Sequence, residues 1–396
     1  MANQFDEVLP RERLSTAKWE MEIDRLSNGN LLCFGTADMD FRSPPVVVDA
    51  LLEAVDRGHF GYPYKPHSYY AAACAMFASH GWAVQPSWIA TNVGIYPSMH
   101  TLIEVLTEPD DEIVFQTPVH HVFNELVSAN GRVAIENPLI VVDGRYEMDL
   151  VGLAQRITER TRVLVLCNPH NPVGRVWTRE ELAALDEFCQ SHSLVVIADE
   201  VYYGLTHDGA EYVPFASVSD AASLNSVTVT AASKTFNLTG LKHSLVVTEN
   251  REVLDAYQSG LRRNNLSYGG STLGIIASQA AFENGEPWTR ALMQYIAANR
   301  DILRQRIQSF LPGATVYNAD GTYFAWIDLH TLGLSNAELV TLFERDAEVV
   351  VSHGAALGAG GSGHVRWNLA CPSSLLIQGL DRLQKAVDAL RPHDLP

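Results

Sequence analysis

Three short segments gather the residue types that serve nucleophilic and general acid–base chemistry. They are Asn168-Pro169-His170-Asn171-Pro172-Val173-Gly174, Asp199-Glu200-Val201-Tyr202-Tyr203 and Ala231-Ala232-Ser233-Lys234-Thr235-Phe236-Asn237. Between them they offer an amine, two carboxyls, amides, phenols and an imidazole. Taken singly each has a plain explanation. Asn-Pro is common loop punctuation, an acidic pair after a strand often caps the next helix, and a loop lysine is usually solvated. Each segment, however, directly follows an apolar run with the signature of a strand, and that shared position makes a chance grouping improbable.

The apolar runs are Val163–Leu166, Leu194–Ala198 and Val227–Thr230, and Ile113–Phe115 and Ser244–Thr248 have the same texture. Such nearly continuous runs predict strands buried on both faces. Thr178–His192 and Val253–Arg263 carry helical patterns, and Thr178 followed by Glu181 makes a capping box. Alternating strands and helices predict an α/β fold with a mostly parallel sheet flanked by helices. Ligands of such sheets sit beyond the carboxyl ends of the strands, where the three segments fall. After Gly285-Glu286-Pro287 the texture changes to a long helix (Trp288–Phe310), a strand (Thr322–Leu329), a helix (Asn336–Arg345), a strand (Val365–Leu369) and a last helix near Ile377–Leu390. This predicts a large domain over residues 46–285 and a smaller α+β domain from 1–45 plus 286–396.

Composition narrows the classes of function. With 47% hydrophobic and 19% charged residues the chain has ordinary globular character. Twenty-eight Lys and Arg against 46 Asp and Glu give a net charge of −18, which argues against nucleic acid or an anionic membrane surface as partner. The five cysteines are scattered with no CxxC pair, so neither a disulfide framework nor a metal site is expected. The first residues lack a secretory apolar core, and the most apolar stretch, Tyr69–Ala78, is too short to span a bilayer. A cytoplasmic protein is the expectation.

The motifs taken together resemble the fold-type I pyridoxal-phosphate (PLP) enzymes of the class I/II aminotransferase family, and within it the cystathionine β-lyase or C–S lyase branch. The likeness runs through Ala37-Asp38-Met39-Asp40-Phe41, Phe60-Gly61-Tyr62, Ser68-Tyr69-Tyr70, His80-Gly81-Trp82, Gln116-Thr117-Pro118-Val119, Cys167 through Trp177, Ser233 through Leu238, and Arg366-Trp367-Asn368-Leu369-Ala370-Cys371-Pro372. The resemblance implies that Lys234 binds PLP covalently and, once freed by substrate, shuttles the proton at the substrate α-carbon. It implies that Asp199 pairs with the pyridine nitrogen and keeps it protonated, so that the ring accepts electrons. Asn171 and Tyr202 would hydrogen-bond the phenolic oxygen. Gly94-Ile95-Tyr96-Pro97 matches the turn whose N–H groups bind the phosphate at a helix start, with Ser233 and Lys242 as further phosphate ligands. Tyr62 resembles the tyrosine donated to the phosphate across a dimer interface, which implies a homodimer with shared active sites. Arg366 takes the place of the clamp for the substrate carboxylate, a role that suits guanidinium geometry. The glycine-rich Gly354–Gly363 before it is expected to be a flexible approach to the site.

Several positions depart from the branch. Ala231 stands where aminotransferases usually have a phosphate-binding serine, and Lys242 where they usually have arginine. Tyr202 looks more like an ordinary aminotransferase. His120, followed by His121, occupies the place of a tyrosine that stacks on the PLP ring; it either stacks in the same way or alters the fate of the carbanion. Gly35 replaces a usual tryptophan, which implies a roomier substrate cavity. Three reactions therefore remain open. The first is α,β-elimination of a cysteine S-conjugate to thiol, pyruvate and ammonia. The second is transamination. The third is oxygen-dependent oxidative deamination or decarboxylation of a cysteine S-conjugate, as in tailoring of lincosamide-like natural products. An amino acid is the substrate in all three.

Overall fold

The computed structural model describes residues 3–10 and 15–390. Seven strands form the central sheet: β1 (Ile89–Asn92), β2 (Glu112–Thr117), β3 (Val133–Pro138), β4 (Thr161–Cys167), β5 (Val195–Asp199), β6 (Ser226–Thr230) and β7 (Ser244–Val247). Their order is β1-β7-β6-β5-β4-β2-β3. β7 runs antiparallel to both neighbours and the other pairings are parallel. The long helices are α1 (Pro45–Asp56), α2 (His67–Ser79), α3 (Ile95–Leu106), α4 (Arg179–Ser191), α5 (Arg251–Arg263), α6 (Thr272–Asn284), α7 (Glu286–Phe310) and α8 (Ser373–Leu390).

Alternation along the strands divides the apolar residues between two layers. Val163, Val165, Ile197 and Val227 pack with Met99, Leu102 and Ile103 of α3 and Tyr257 and Leu261 of α5. Leu164, Leu166 and Val196 face the other way, onto Leu182 and Leu185 of α4 and Trp177. Each such fully buried side chain contributes about 1.5–3 kcal/mol. The strands read from sequence as continuous apolar runs are thus covered on both faces. The Thr178 hydroxyl accepts from the Glu181 N–H at 3.2 Å and the Glu181 carboxylate accepts from the Thr178 N–H at 2.8 Å, which fixes the start of α4.

A second sheet of four short strands, β8 (Thr315–Val316), β9 (Phe324–Asp328), β10 (Ser352–His353) and β11 (His364–Asn368), has the order β8-β9-β11-β10 with antiparallel pairs. It shares a core with α7, α8 and the N-terminal Phe5, Trp19 and Phe34. Leu32–Cys33 pairs in parallel with Val349–Val350, so the N-terminal segment is threaded beside this sheet before it reaches the large one. The helix expected over Asn336–Arg345 is α-helical only over Asn336–Val340 and widens to a π-helical turn over Thr341–Asp346. Among the described residues no helix is long and apolar enough to cross a membrane.

Candidate active site

Parallel pairing brings the ends of β4, β5 and β6 side by side: Cys167 is in register with Asp199, and Asp199 with Val229. The chain past each end is held by its neighbour. The Asn168 N–H donates to the Asp199 carbonyl at 3.0 Å, and the Glu200 N–H donates to the Val229 carbonyl at 2.9 Å. The three segments singled out in the sequence therefore meet at one edge.

Asp199 is buried and its carboxylate accepts one hydrogen bond, from the Val201 N–H at 3.2 Å. Burial pushes its pKa up to about 7, although that N–H and the nearby Lys234 work against the rise. Glu200 points away into the core. There it accepts from the Tyr212 hydroxyl at 2.6 Å and the Phe215 N–H at 2.8 Å, and burial raises its pKa to about 8. Only the first member of the acidic pair faces the site.

Lys234 lies on the single helical turn Ala232–Thr235. Its Nζ donates to the Ala37 carbonyl at 2.7 Å and stands 3.7 Å from Asp38 Oδ1. Burial lowers its pKa; the positive charge of Arg366 adds to that effect, while Asp38 and Asp199 oppose it. Tyr323 donates its hydroxyl to the same Ala37 carbonyl at 3.0 Å. Its ring and that of Phe324 pack edge-on against buried Tyr202, at 5.8 and 5.7 Å between centroids. Burial keeps the Tyr202 phenol protonated well above its ordinary range.

Arg366, on β11, is buried and none of its hydrogen-bond acceptors is a carboxylate. It donates to Asn171 Oδ1 at 2.9 Å, the Gly35 carbonyl at 2.6 Å and Ser352 Oγ at 2.8 Å, lies 4.3 Å above the Phe324 ring, and leaves Nε without a partner. Even a guanidinium is pulled below its usual pKa by such burial. An uncompensated buried cation is costly unless an anion arrives to share the site.

His120 follows β2 and is half-buried. Its ring nitrogens stand 3.3 and 3.4 Å from the Tyr96 hydroxyl, and it stacks on His121 with centroids 4.6 Å apart. Burial first, then the charges of Arg366, His121 and Lys234, hold this imidazole well below its ordinary pKa, so it is neutral near pH 7. Gly94 is the N-cap of α3 with φ +154° and ψ 171°, a backbone that glycine adopts without strain. The N–H groups of Ile95 and Tyr96 begin the helix, where no acceptor exists within it. Ser233 sits on the lysine-bearing turn and Lys242 is exposed just before β7. Tyr62 is 82% exposed and stacks on Tyr268 at 4.6 Å.

Gly35 offers its carbonyl to Arg366, and a Cβ there would stand 3.3–3.6 Å from the Val351 and Ser352 backbone. One expectation is corrected. The Gly354–Gly363 stretch is not a loose approach. The Leu357 carbonyl accepts from the Val119 N–H at 2.8 Å, and the Ala359 N–H donates to Glu136 Oε2 at 2.8 Å, which pins it to the ends of β2 and β3. Sequence reasoning also missed Asp38, Ser352 and Tyr323. Asp38 lies inside a matched motif; the other two carry no local signal.

These residues fit PLP on their own chemistry. A half-buried amine below its usual pKa, a buried carboxyl with one donor, a free helix start and an unpaired guanidinium offer complements to an aldehyde, a protonated pyridine, a phosphate and a carboxylate. Comparison with known proteins agrees. The model of the family "aminotransferase class I and II" matches residues 29–383. Cystathionine beta-lyase PatB of Bacillus subtilis is 36% identical over 385 residues, covering 97% of this chain and 99% of that one. Cystalysin from Treponema denticola, which contains a pyridoxal 5'-phosphate cofactor, superposes with TM-score 0.95 at 28% identity, covering 99% of this chain and 100% of that one. The PLP-bound C–S lyase from Staphylococcus hominis gives TM-score 0.90 at 27% identity, with 98% of each chain covered.

Proposed function

The chain belongs to the class I and II aminotransferase family, and from that premise we propose that it is a PLP-dependent carbon–sulfur β-lyase acting on a cysteine S-conjugate. The observation that carries the reading is a buried guanidinium with only neutral acceptors, Arg366, close enough to a half-buried amine, Lys234, to help lower its pKa. That pair recognises the carboxylate of an amino acid and works on its α-carbon. Full-length likeness to cystathionine beta-lyase PatB supports elimination as the outcome.

Lys234 would hold PLP, Asp199 its ring nitrogen, and Asn171 and Tyr202 its phenolic oxygen; the N–H groups of Gly94, Ile95 and Tyr96, with Ser233 and Lys242, would hold the phosphate. Bound there, PLP supplies an electron sink for charge at the substrate α-carbon. Arg366 grips the substrate carboxylate and thereby sets which α-carbon bond is aligned for cleavage. Lys234, its pKa lowered by burial, is placed to take the α-proton. His120, neutral beside Tyr96, is placed to stack or to move a proton at the leaving sulfur. Overall, cysteine S-conjugate and water give thiol, pyruvate and ammonia. We assign the cofactor domain to residues 46–285 and the small domain to 1–45 plus 286–396, of which 1–2, 11–14 and 391–396 lie outside the described residues. Exposed Phe60, Tyr62 and Tyr64, near the apolar Leu52 and Val55 of α1 in sequence, support a homodimer in which Tyr62 serves the partner's phosphate.

The test is incubation of holoenzyme with cysteine S-conjugates, with and without oxygen, followed by mass analysis. Thiol and pyruvate released without oxygen are the expected result. Amino transfer that needs a keto acid, which the aminotransferase-like Tyr202 would favour, overturns elimination, as does an oxygen-dependent product that keeps its C–S bond. Lys234→Ala is expected to lose the covalent cofactor absorbance together with turnover.

A further inference from the structure

At the end of the small sheet, remote in role from the cofactor, three side chains converge. Asp328 on β9 and His364 on β11 are direct cross-strand partners, and His330 follows two residues after Asp328. One ligand-competent atom from each lies within 4.8 Å of the other two. His364 is 7% exposed, its ring stacked on Trp326 at 4.9 Å and 7°. Its Nδ1 lies 2.8 Å from the Ser362 carbonyl, an acceptor, which assigns the proton to Nδ1 and leaves a lone pair on Nε2. That Nε2 is buried, has no hydrogen-bond partner, and faces Asp328 Oδ2 at 3.8 Å.

A lone pair opposed to a carboxylate oxygen at this distance is too far for a hydrogen bond and is repulsive unless a positive centre lies between them. We propose that Asp328, His330 and His364 form a binding site for a divalent transition-metal cation of the zinc type. Zinc takes imidazole nitrogen and carboxylate oxygen at roughly 2.0–2.2 Å, so its tetrahedral ligand atoms stand about 3.3–3.5 Å apart. The His364–Asp328 separation needs to close by only a few tenths of an ångström. The hydrogen bond from His364 to the Ser362 carbonyl is the arrangement that fixes tautomer and ring orientation in metal-binding histidines. His330 is the adjustable member. Its ring is exposed, 2.7 Å from Asp328 Oδ1 through Nδ1, and turns to give the third ligand while solvent fills the fourth position. Gly363, with φ +71°, makes room for it, since a Cβ there would fall 2.4 Å from His330 Nε2. Two imidazoles and one carboxylate favour zinc, cobalt or nickel over calcium or magnesium, which prefer oxygen. His364 and Arg366 share one face of β11, two residues apart, so a bound ion would stiffen the strand that carries the carboxylate clamp.

The test titrates metal-stripped holoenzyme with Zn2+ by calorimetry and with Co2+ by its ligand-field bands, which lie to longer wavelength than the cofactor absorbance. One ion per chain and a tetrahedral Co2+ spectrum are expected. His330→Ala and Asp328→Asn should each weaken binding at least tenfold, and His330→Ala should leave the activity and cofactor spectrum of the metal-free enzyme unchanged. Zn2+ binding that is absent, or equally tight in wild type and both variants as it would be at cysteines or the phosphate site, overturns the proposal.

Discussion

Two buried guanidinium groups, one beside each sheet, show how one residue type serves opposite ends. Arg175, in the connection between β4 and α4, is saturated. It pairs with Glu181 at 2.7 Å and Asp320 at 2.9 Å, donates to the Tyr146 carbonyl, and lies 4.5 Å over Trp177. Asp320 belongs to the approach to the small sheet, so Arg175 ties the two sheets together. Arg366 is as deeply buried, yet it is met by an amide, a carbonyl, a hydroxyl and an aromatic face, with no carboxylate. Saturation marks a strut, and a charge left open marks a place for a ligand.

That contrast can be broken in stages. Arg175→Met takes the shared buried guanidinium from Glu181 and Asp320, leaving Asp320 only the exposed Arg145 at 3.1 Å, and should lower unfolding stability by about 3–5 kcal/mol, measured by urea denaturation, while activity per folded molecule stays within a few-fold. Arg366→Met should do the reverse. Stability stays within about 1 kcal/mol, because an uncompensated charge is removed, and kcat/KM falls roughly a hundred- to a thousandfold with the cofactor spectrum retained. If Arg366→Met destabilised as much as Arg175→Met, the distinction between strut and clamp would fail.

The two carboxyls at the end of β5 extend the comparison to pH. In the cofactor-free protein Asp199 has a folded pKa of about 7 against 3.8 for its ordinary value. Between those limits the folded state holds a proton that the unfolded state has lost. Stability from this group is therefore full below about pH 4 and falls as pH rises to about 7, by up to about 1.4 kcal/mol per pH unit. Glu200 acts in the same sense up to about 8. Urea titrations at pH 5 and 7 should show Asp199→Asn flattening the dependence while the Glu200 share persists. The smallest effect is expected at Ser352→Ala, which removes one acceptor from Arg366 and should raise KM several-fold, about 1 kcal/mol, with kcat nearly unchanged.

Much of this arrangement is legible in the chain. β4, β5 and β7 carry apolar runs where the sequence places them, and β6 alternates valines with small buried hydroxyls, all four being covered on both faces. The three strand-end segments follow from them. β1 and β3 left weaker signals because they are the two edges of the sheet: β1 ends in the polar Thr91 and Asn92, and β3 is largely half-buried with Val133 exposed, so neither needs a continuous apolar run. The surroundings of Arg366 were not legible, because Gly35, Asn171 and Ser352 come from three distant parts of the chain and meet only through tertiary packing. The Lys234–Ala37 contact joins residues 197 apart. The ligand-like trio at the small-sheet end was equally hidden, because antiparallel register, not sequence spacing, sets His364 opposite Asp328.

The Ala37 carbonyl holds both Lys234 and Tyr323. An amine drawn to a ligand must abandon that oxygen and leave it to the Tyr323 hydroxyl, while Asn237 and Asn368 keep hold of the neighbouring Thr36, Asp38 and Met39 backbone. The strip from 36 to 39 is thus a fixed rail beside a movable amine: release costs the lysine one hydrogen bond there and frees no backbone anchor.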